Sequence, residues 1–228
     1  LVTEKHGRIL KLDLLNKKLS VIKHEIPIIK NSGGGQGGLL DIFYHSDGYI
    51  YLTYSHDFSK SNDSLVRNKM SSTAIARGKL NGNKIEDLEI LLTAKPKLKR
   101  NKHWGARIII KNDQLFAGLG ERDEGMIAQD PGKHPGSIIR INTDGSIPKD
   151  NPVFAGYDGW LPEIFQIGLR NPQGITISPH DNKIYISQHG PRGGDNIGIV
   201  NFAGNFGWKD VAWGGTEYSG LKIGDKAF

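Results

Sequence analysis

The chain is dominated by short stretches in which apolar and polar residues alternate, separated by turns rich in Gly, Asn and Asp. Alternation of this kind, with many Ile, Val, Tyr and Thr residues, is typical of half-buried β-strands. The three-to-four-residue spacing of an amphipathic helix is scarce by comparison. The pattern therefore predicts an all-β fold.

Two strand patterns also repeat at long range. In the first, a polar turn precedes an aliphatic and then an aromatic residue. The second is an aliphatic strand whose copies interleave with the first series. The central residues are Ile50, Leu115 and Ile184 in the first series and Ile9, Ile75, Ile139 and Ile199 in the second. Two strand types that recur in step at nearly constant intervals predict the four-stranded blades of a β-propeller, with one blade to each repeat.

The length of the chain limits the number of blades. The 228 residues supply three to four units of this size, whereas closed propellers have about four to eight blades. We therefore expect residues 1–228 to form a single, truncated propeller domain whose C-terminal blades are missing.

Composition narrows the function classes. The formal net charge is +6, but Lys and Arg are dispersed, and the densest run, residues 95–102, lacks the interleaved aromatic residues that stack on bases. We predict a solvated loop there and no nucleic-acid partner. Cys is absent, which excludes disulfides and thiolate metal sites, and no stretch approaches the roughly 20 apolar residues of a membrane span.

The stretch from Leu169 to Asp195 holds more candidate chemistry per residue than any other part of the chain. An Arg-Asn pair precedes a strand pattern, and that strand runs into His189-Gly-Pro-Arg-Gly-Gly-Asp195. Three Gly residues and one Pro keep this backbone out of a β-ladder, so its amides and carbonyls must bind water, a metal ion or a ligand. An ordinary Gly-rich surface turn is the alternative, and local composition alone favours it.

Seven short motifs occur in an order that resembles one known family. Each is weak alone, but together they cover nearly the whole chain. They are Gln36-Gly-Gly-Leu-Leu-Asp-Ile42, His103-Trp-Gly-Ala-Arg107, Leu119-Gly-Glu-Arg122, Leu169-Arg-Asn-Pro-Gln-Gly174, His189-Gly-Pro-Arg-Gly-Gly-Asp195, Asn205-Phe-Gly-Trp208 and Tyr218-Ser-Gly220. The series resembles that of the soluble aldose sugar (glucose/sorbosone) dehydrogenases that use pyrroloquinoline quinone (PQQ). The resemblance implies a six-bladed propeller with the quinone near its axis on a bound calcium ion, of which this chain is similar to the first three to four blades.

The resemblance implies catalytic roles for several residues. His103 is similar to the family's base, and a neutral imidazole near pH 7 can accept the proton of the sugar C1 hydroxyl. Arg107 has a supporting role. Glu121 stands where the family usually has Asp, and its extra methylene moves the carboxylate by roughly 1 Å, a displacement large enough to weaken catalysis. Arg170 would stabilise the negative charge that builds on the reduced quinone.

The resemblance also implies the contacts of the cofactor. Arg170 and Asn171 are similar to a pair that hydrogen-bonds the quinone oxygens, and Gln36 to a glutamine at the reaction centre or the quinone edge. Tyr218 is similar to a tyrosine near the cofactor, where an aromatic face can stack on planar rings.

Two calcium sites follow from the same resemblance. Gly190 and Pro191 would contribute main-chain carbonyls, which are hard oxygen ligands suited to this ion. A second calcium would use Asn196 and the carbonyl of Phe206, but Asn196 replaces an acidic residue and Gln188 stands where a Glu is more frequent. We therefore expect the second calcium to be weaker or absent.

The resulting hypothesis is a quinoprotein oxidoreductase that oxidises aldose sugars at C1 to lactones, with PQQ as hydride acceptor, Ca²⁺ as Lewis acid and an external electron acceptor. The resemblance further implies a periplasmic or secreted location. Two alternatives stay open: a calcium-dependent propeller lactonase, and a non-catalytic propeller that serves as a binding scaffold.

Overall fold

The structure, a computed structural model, describes residues 1–28, 35–57, 70–153, 156–157 and 159–224. Within these residues the chain consists of β-strands joined by turns and loops, with a single 3₁₀ helix at Gly125–Gln129. The all-β prediction is confirmed. None of the helical segments in this part of the chain is long and apolar enough to cross a bilayer.

The chain divides into two compact units, Leu1–Lys102 and His103–Phe228. The described part of the first unit contains two antiparallel sheets with the strand orders β1-β2-β3 and β4-β5-β6-β7. Their strands are β1 (Val2–Thr3), β2 (Ile9–Leu12), β3 (Leu19–Ile22), β4 (Leu39–Tyr44), β5 (Tyr49–Asp57), β6 (Ser71–Asn81) and β7 (Lys84–Thr93).

The second unit likewise shows two antiparallel sheets in its described residues, with the orders β11-β10-β9-β8 and β12-β13-β14. Their strands are β8 (Gly105–Lys111), β9 (Gln114–Leu119), β10 (Ile138–Asn142), β11 (Ile164–Gln166), β12 (Pro172–Ile177), β13 (Ile184–Gln188) and β14 (Asn196–Ile199).

The two repeat series predicted from the sequence are neighbouring strands of these sheets. Ile75 on β6 pairs with Thr53 on β5, and Ile139 on β10 pairs with Ala117 on β9. In the last sheet, β14 pairs with β13 in the same antiparallel way. The sheets therefore have the connectivity expected of propeller blades, two with all four strands and two with three in the described residues. That residues 1–228 form one truncated domain stays a prediction.

Alternation along the strands builds a separate core in each unit. In the first, Ile50, Leu52 and Tyr54 point to one face of β5 and pack with buried Ala residues of β6. In the second, a cluster forms around Phe116, Ile138 and Leu169 together with the aliphatic residues of β13. Burying an aliphatic side chain of this size stabilises the folded state by about 1.5–3 kcal/mol, so each cluster stabilises the packing of the two sheets that contribute to it.

The geometry of the second unit brings several loop ends to one edge of its sheets. Because the strands are antiparallel, the start of β8 lies opposite the end of β9, and the start of β12 opposite the end of β13. The Pro172 ring also approaches Gly105 and Gly118 so closely that a Cβ on either would lie about 3 Å from its Cγ. Side chains immediately before β8 and β12 and after β9 therefore come within reach of one another.

Candidate functional site

The first pair at this edge is His103, two residues before β8, with Glu121, two residues after β9. Both side chains are buried, and His103 Nδ1 lies 2.5 Å from Glu121 Oε1. The main chains approach closely as well, because a Cβ on Gly120 would lie only 2.0 Å from the His103 carbonyl oxygen. Only glycine fits there, so the Gly of Leu-Gly-Glu-Arg is what allows the two side chains to meet.

The Glu121 carboxylate contacts two further donors besides His103. Its Oε2 accepts hydrogen bonds from the main-chain N–H groups of Glu124 and Gly125, at 2.5 and 2.8 Å. Since a carboxylate accepts, Nδ1 of His103 carries the proton of the short hydrogen bond, and the neutral imidazole keeps its lone pair on Nε2. The longer Glu side chain reaches His103 in this structure, and whether its extra methylene weakens catalysis stays a prediction.

The buried Arg122 contacts the main chain next to the His103–Glu121 pair. The Arg122 guanidinium stacks on the Trp104 ring with its central carbon 3.3 Å from the ring centroid, and its main-chain N–H donates to the His103 carbonyl at 3.2 Å. Burial lowers the pKa of Arg122 to about 9, although the carboxylates of Glu121 and Glu124 oppose this shift. The stack fixes the backbone on which His103 sits.

Arg170, two residues before β12, joins the pair to the Gly-rich loop. Its Nη2 lies 3.3 Å from His103 Nε2, and its Nη1 donates to the carbonyls of His189 and Gly190 at 3.1 and 2.8 Å. The side chain is only 6% exposed, and its Nε has no hydrogen-bond partner among the described residues. The guanidinium therefore sits between a lone pair on the imidazole and two main-chain carbonyls.

The main chain of Arg170 is fixed from both sides. Its N–H donates to Gln188 Oε1 at 2.9 Å, and its carbonyl accepts from Glu121 N–H at 2.8 Å. The backbone is thus held independently of the guanidinium, which leaves the side chain free to change partners.

The loop 189–195 is anchored by its own Asp195. This carboxylate accepts from Gly190 N–H at 2.9 Å and lies 3.2 Å from His189 Nδ1. The Gly190 hydrogen bond, followed by the one from His189, lowers the pKa of Asp195. A Cβ on Gly190 would lie 2.2 Å from the carbonyl oxygen of Gly193, so main-chain oxygens crowd this position and glycine is required.

A small cavity adjoins the loop. It has a volume of about 20 Å³, enough for roughly one water molecule or ion. Its lining includes Arg170, Gly190, Pro191 and Trp208. Trp208 Nε1 and Arg170 Nε are both buried without a partner in the described residues, and the guanidinium lies 5.3 Å from the Trp208 ring centroid. Two unused donors suit an acceptor oxygen, and the neighbouring carbonyls suit a hard cation.

No group of three His, Cys, Asp or Glu side chains in the described residues could hold a metal. A calcium ion at Gly190 and Pro191 would therefore depend on main-chain oxygens, water and cofactor oxygens. The residues present fit such an ion, because Gly190 and Pro191 line the cavity and the carbonyl oxygens of Gly193 and Gly194 lie close to where a Cβ on Gly190 would be.

The residues expected at the second calcium form an amide network. Gln188 Nε2 donates to Asn196 Oδ1 at 3.2 Å, and Asn196 Nδ2 donates to the Gly194 carbonyl at 3.0 Å. The Phe206 ring fills the space above Gly198, where a Cβ would lie 2.1 Å from it. The amides satisfy each other, in keeping with the prediction of a weak or absent second calcium, which stays a prediction.

The remaining predicted residues are placed as follows. Asn171 is buried, and its Oδ1 accepts from Gln173 Nε2 at 2.8 Å. Tyr218 is 74% exposed and does not line the cavity beside Arg170. Arg107 is an exposed residue of β8. Gln36 belongs to the first unit, where its N–H donates to the Asn101 carbonyl at 3.0 Å.

The structural roles of Gln188 and Asp195 were not predicted, although the sequence carries a signal for the first. Gln36, His103 and Arg170 are equally spaced along the chain, and each lies shortly before the first strand of its sheet. The same interval relates Glu121 to Gln188. Extending the repeat from strands to the residues that flank them would have identified Gln188 as the partner of Arg170.

Comparisons with known proteins show the family of the chain. The family model described as glucose/sorbosone dehydrogenase matches residues 1–227. The chain is 37% identical over 196 residues to the aldose sugar dehydrogenase YliI of Escherichia coli, covering 83% of this chain and 50% of that protein. The chain thus spans about half the length of this curated relative.

Two solved structures are similar as well. The apo-form of the soluble aldose sugar dehydrogenase from Escherichia coli matches with a TM-score of 0.87 and 34% identity, covering 99% of this chain and 63% of that one. The PQQ-bound aldose sugar dehydrogenase from Streptomyces coelicolor matches with a TM-score of 0.70 and 26% identity, covering 96% and 61%.

Proposed function

Because the chain belongs to the glucose/sorbosone dehydrogenase family, we propose that the protein oxidises aldose sugars at C1 to lactones, with PQQ and calcium as cofactors. The observation that carries this proposal is a series of hydrogen bonds at one edge of two sheets, which links the buried residues Glu121, His103 and Arg170 to the half-buried Gly190. A PQQ-bound relative supports the choice of quinone.

His103 is suited to accept the proton of the C1 hydroxyl. Its Nδ1–H is committed to Glu121, so the proton is taken up at Nε2. The carboxylate then stabilises the imidazolium, as the acid of a catalytic triad does. For this step, Nε2 must exchange its hydrogen bond from Arg170 for one from the sugar.

Other residues of the chain would hold the cofactors. Arg170, Asn171, Gln36 and Tyr218 would contact the quinone, and the carbonyls of Gly190 and Pro191 would ligate calcium. When bound, PQQ supplies the carbonyl that accepts the hydride, and calcium polarises that carbonyl. The unpartnered Nε of Arg170 offers a donor where negative charge would develop.

For the whole protein, the proposal includes an external electron acceptor that reoxidises the quinone. It also includes a periplasmic or secreted location. The lactonase alternative has no supporting observation, because the described residues contain no cluster of three side chains of the kind that could hold its metal. The scaffold alternative is not favoured either, since the buried His103–Glu121 pair is complete.

Reconstitution tests the proposal. We expect full-length protein supplied with PQQ and Ca²⁺ to reduce a redox dye in the presence of glucose or another aldose. His103→Ala should lose activity by at least about 100-fold, the contribution of a positioned base, while still binding PQQ in a titration. His180→Ala, an exposed histidine in the same unit, serves as the control and should keep full activity. Absence of both activity and micromolar PQQ binding in the wild-type protein would exclude the dehydrogenase.

A further inference from the structure

The Arg170 side chain holds the oxygen atom that the proposed function assigns to calcium. Its Nη1 donates to the Gly190 carbonyl at 2.8 Å and to the neighbouring His189 carbonyl at 3.1 Å. The same guanidinium covers His103 Nε2 through Nη2, at 3.3 Å. The Arg170 guanidinium therefore contacts both the Gly190 carbonyl oxygen proposed to bind calcium and the Nε2 lone pair of His103 proposed to accept the sugar proton.

We propose that Arg170 competes with the cation for the Gly190 carbonyl, so that the metal binds weakly until an acceptor group draws the guanidinium away. This inference rests on the proposed function, because it concerns the calcium and quinone sites of that reaction. It predicts that calcium and an anionic quinone bind cooperatively and that calcium alone binds poorly.

Electrostatics supports competition over simple sharing of the carbonyl. Calcium binds carbonyl oxygens at about 2.3–2.6 Å, and Arg170 Nη1 already lies 2.8 Å from the same oxygen. Two cations at such distances repel each other, and this repulsion is strong where water is excluded. Arg170 is only 6% exposed, so dissolved salt screens the pair weakly.

The surroundings offer the guanidinium an alternative partner. Its Nε is buried without a partner in the described residues, and Arg170 lines the small cavity together with Trp208. An acceptor oxygen bound there would satisfy Nε and draw the side chain away from the carbonyls. The main chain need not move, because Gln188 and Glu121 hold it through the Arg170 N–H and carbonyl.

A single movement of this side chain would expose two groups. Leaving the Gly190 carbonyl frees a calcium ligand, and leaving Nε2 of His103 frees the lone pair that accepts the sugar proton. Loading of the cofactors and exposure of the base are thereby coupled through one residue.

Cation binding without quinone tests the proposal. Tb³⁺ luminescence and Ca²⁺ calorimetry would be measured on the full-length wild-type protein, Arg170→Gln, Arg170→Lys and Arg192→Gln. We expect Arg170→Gln to bind either cation at least tenfold more tightly than wild type, equivalent to about 1.4 kcal/mol. Arg170→Lys keeps the charge but cannot span two carbonyls with a planar fork, so it should show a smaller gain.

Arg192→Gln is the matched control. It removes an equal charge from the same loop, but Arg192 is exposed, so its affinity should stay within about twofold of wild type because exposed charges are screened. Circular dichroism melts establish that each variant is folded. If Arg170→Gln does not fold, the comparison of Arg170→Lys with wild type decides. Unchanged or weaker cation binding by the folded Arg170 variants would overturn the proposal.

A PQQ titration of the wild-type protein separates the two proposals. If wild type binds PQQ in the presence of Ca²⁺ and the Arg170 variants gain no cation affinity, the competition fails and the dehydrogenase stands. If wild type binds no PQQ, the proposed function fails whatever the metal titrations show.

Discussion

The two sheets of the second unit carry matched side-chain pairs at one edge and use them differently. His103 and Glu121 flank the first two strands of one sheet, and Arg170 and Gln188 occupy the equivalent positions of the next, one repeat further along the chain. In the first pair, the carboxylate binds the imidazole side chain. In the second, the Gln188 amide binds the main-chain N–H of Arg170 and leaves the guanidinium to other partners.

Because of this difference, the His103 imidazole is fixed in position, whereas the Arg170 guanidinium can exchange its contacts. His103 is held at Nδ1 by a carboxylate that itself accepts hydrogen bonds from two main-chain N–H groups. The Arg170 main chain is fixed by its own hydrogen bonds, and the guanidinium separately contacts a neighbouring imidazole and two carbonyls, partners that a long side chain can exchange. A base must stay in position for proton transfer, whereas a charge that responds to cofactor binding must be able to exchange contacts.

Breaking the fixed pair should have the largest effect. In Glu121→Ala, the His103 Nδ1–H and two main-chain N–H groups lose their acceptor, and each buried donor left unsatisfied costs about 1–3 kcal/mol. We expect the free energy of unfolding to fall by about 3 kcal/mol and sugar oxidation to fall at least about 100-fold. Urea denaturation and initial rates measure the two effects.

The chain provides a matched control for this change. His134 Nε2 lies 2.8 Å from Glu163 Oε1, a second His–Glu pair in the same unit whose histidine is buried. Glu163→Ala should also lower stability, but it should leave the rate per folded molecule unchanged. Equal losses of rate in both variants would show that Glu121 acts through folding alone.

Breaking the second pair should have a smaller effect. Gln188→Ala leaves the buried Arg170 N–H without its acceptor, which costs about 1–2 kcal/mol of unfolding free energy. It also removes the donor to Asn196, so the loop that follows should loosen. Thermal and urea unfolding measure the loss.

Gln173→Ala is the comparison for this variant, because its exposed side chain donates to Asn171 outside the Arg170 backbone contacts. We expect it to stay within about 0.5 kcal/mol of wild type. If Gln188→Ala and Gln173→Ala were equally stable, the hydrogen bond from the Arg170 N–H to Gln188 would not stabilise the fold.

Much of the scaffold could be predicted from the sequence, because strand alternation and turn residues are local signals. The copies centred on Ile75 and Ile139 do lie on the strands expected of them. The pairing of His103 with Glu121 was predicted from the resemblance, but the close approach of their main chains depends on Gly120, where a Cβ would clash with the His103 carbonyl oxygen. The direction of the Arg170 side chain could not be predicted from the sequence. Its long side chain can reach several acceptors, and only folding brings His103 and the carbonyls of His189 and Gly190 close to it.

The smallest expected effect concerns the loop whose carbonyls Arg170 binds. Hydrogen bonds from Gly190 N–H and His189 lower the pKa of Asp195 in the folded protein, so its carboxylate stabilises the fold above its ordinary pKa of about 3.9. That contribution is lost as the pH falls through the lowered pKa, because both folded and unfolded states then bind the proton. Asp195→Ala should therefore melt slightly below wild type at pH 6, and the difference should shrink as the pH falls below about 4 and towards the lowered pKa. Asp210→Ala, an exposed Asp of the same unit, is the control, and thermal melts from pH 7 to 3 make the comparison. A difference between Asp195→Ala and wild type that persisted unchanged at the acid end would mean that packing of the loop, and not the carboxylate, holds the Gly190 carbonyl in front of Arg170.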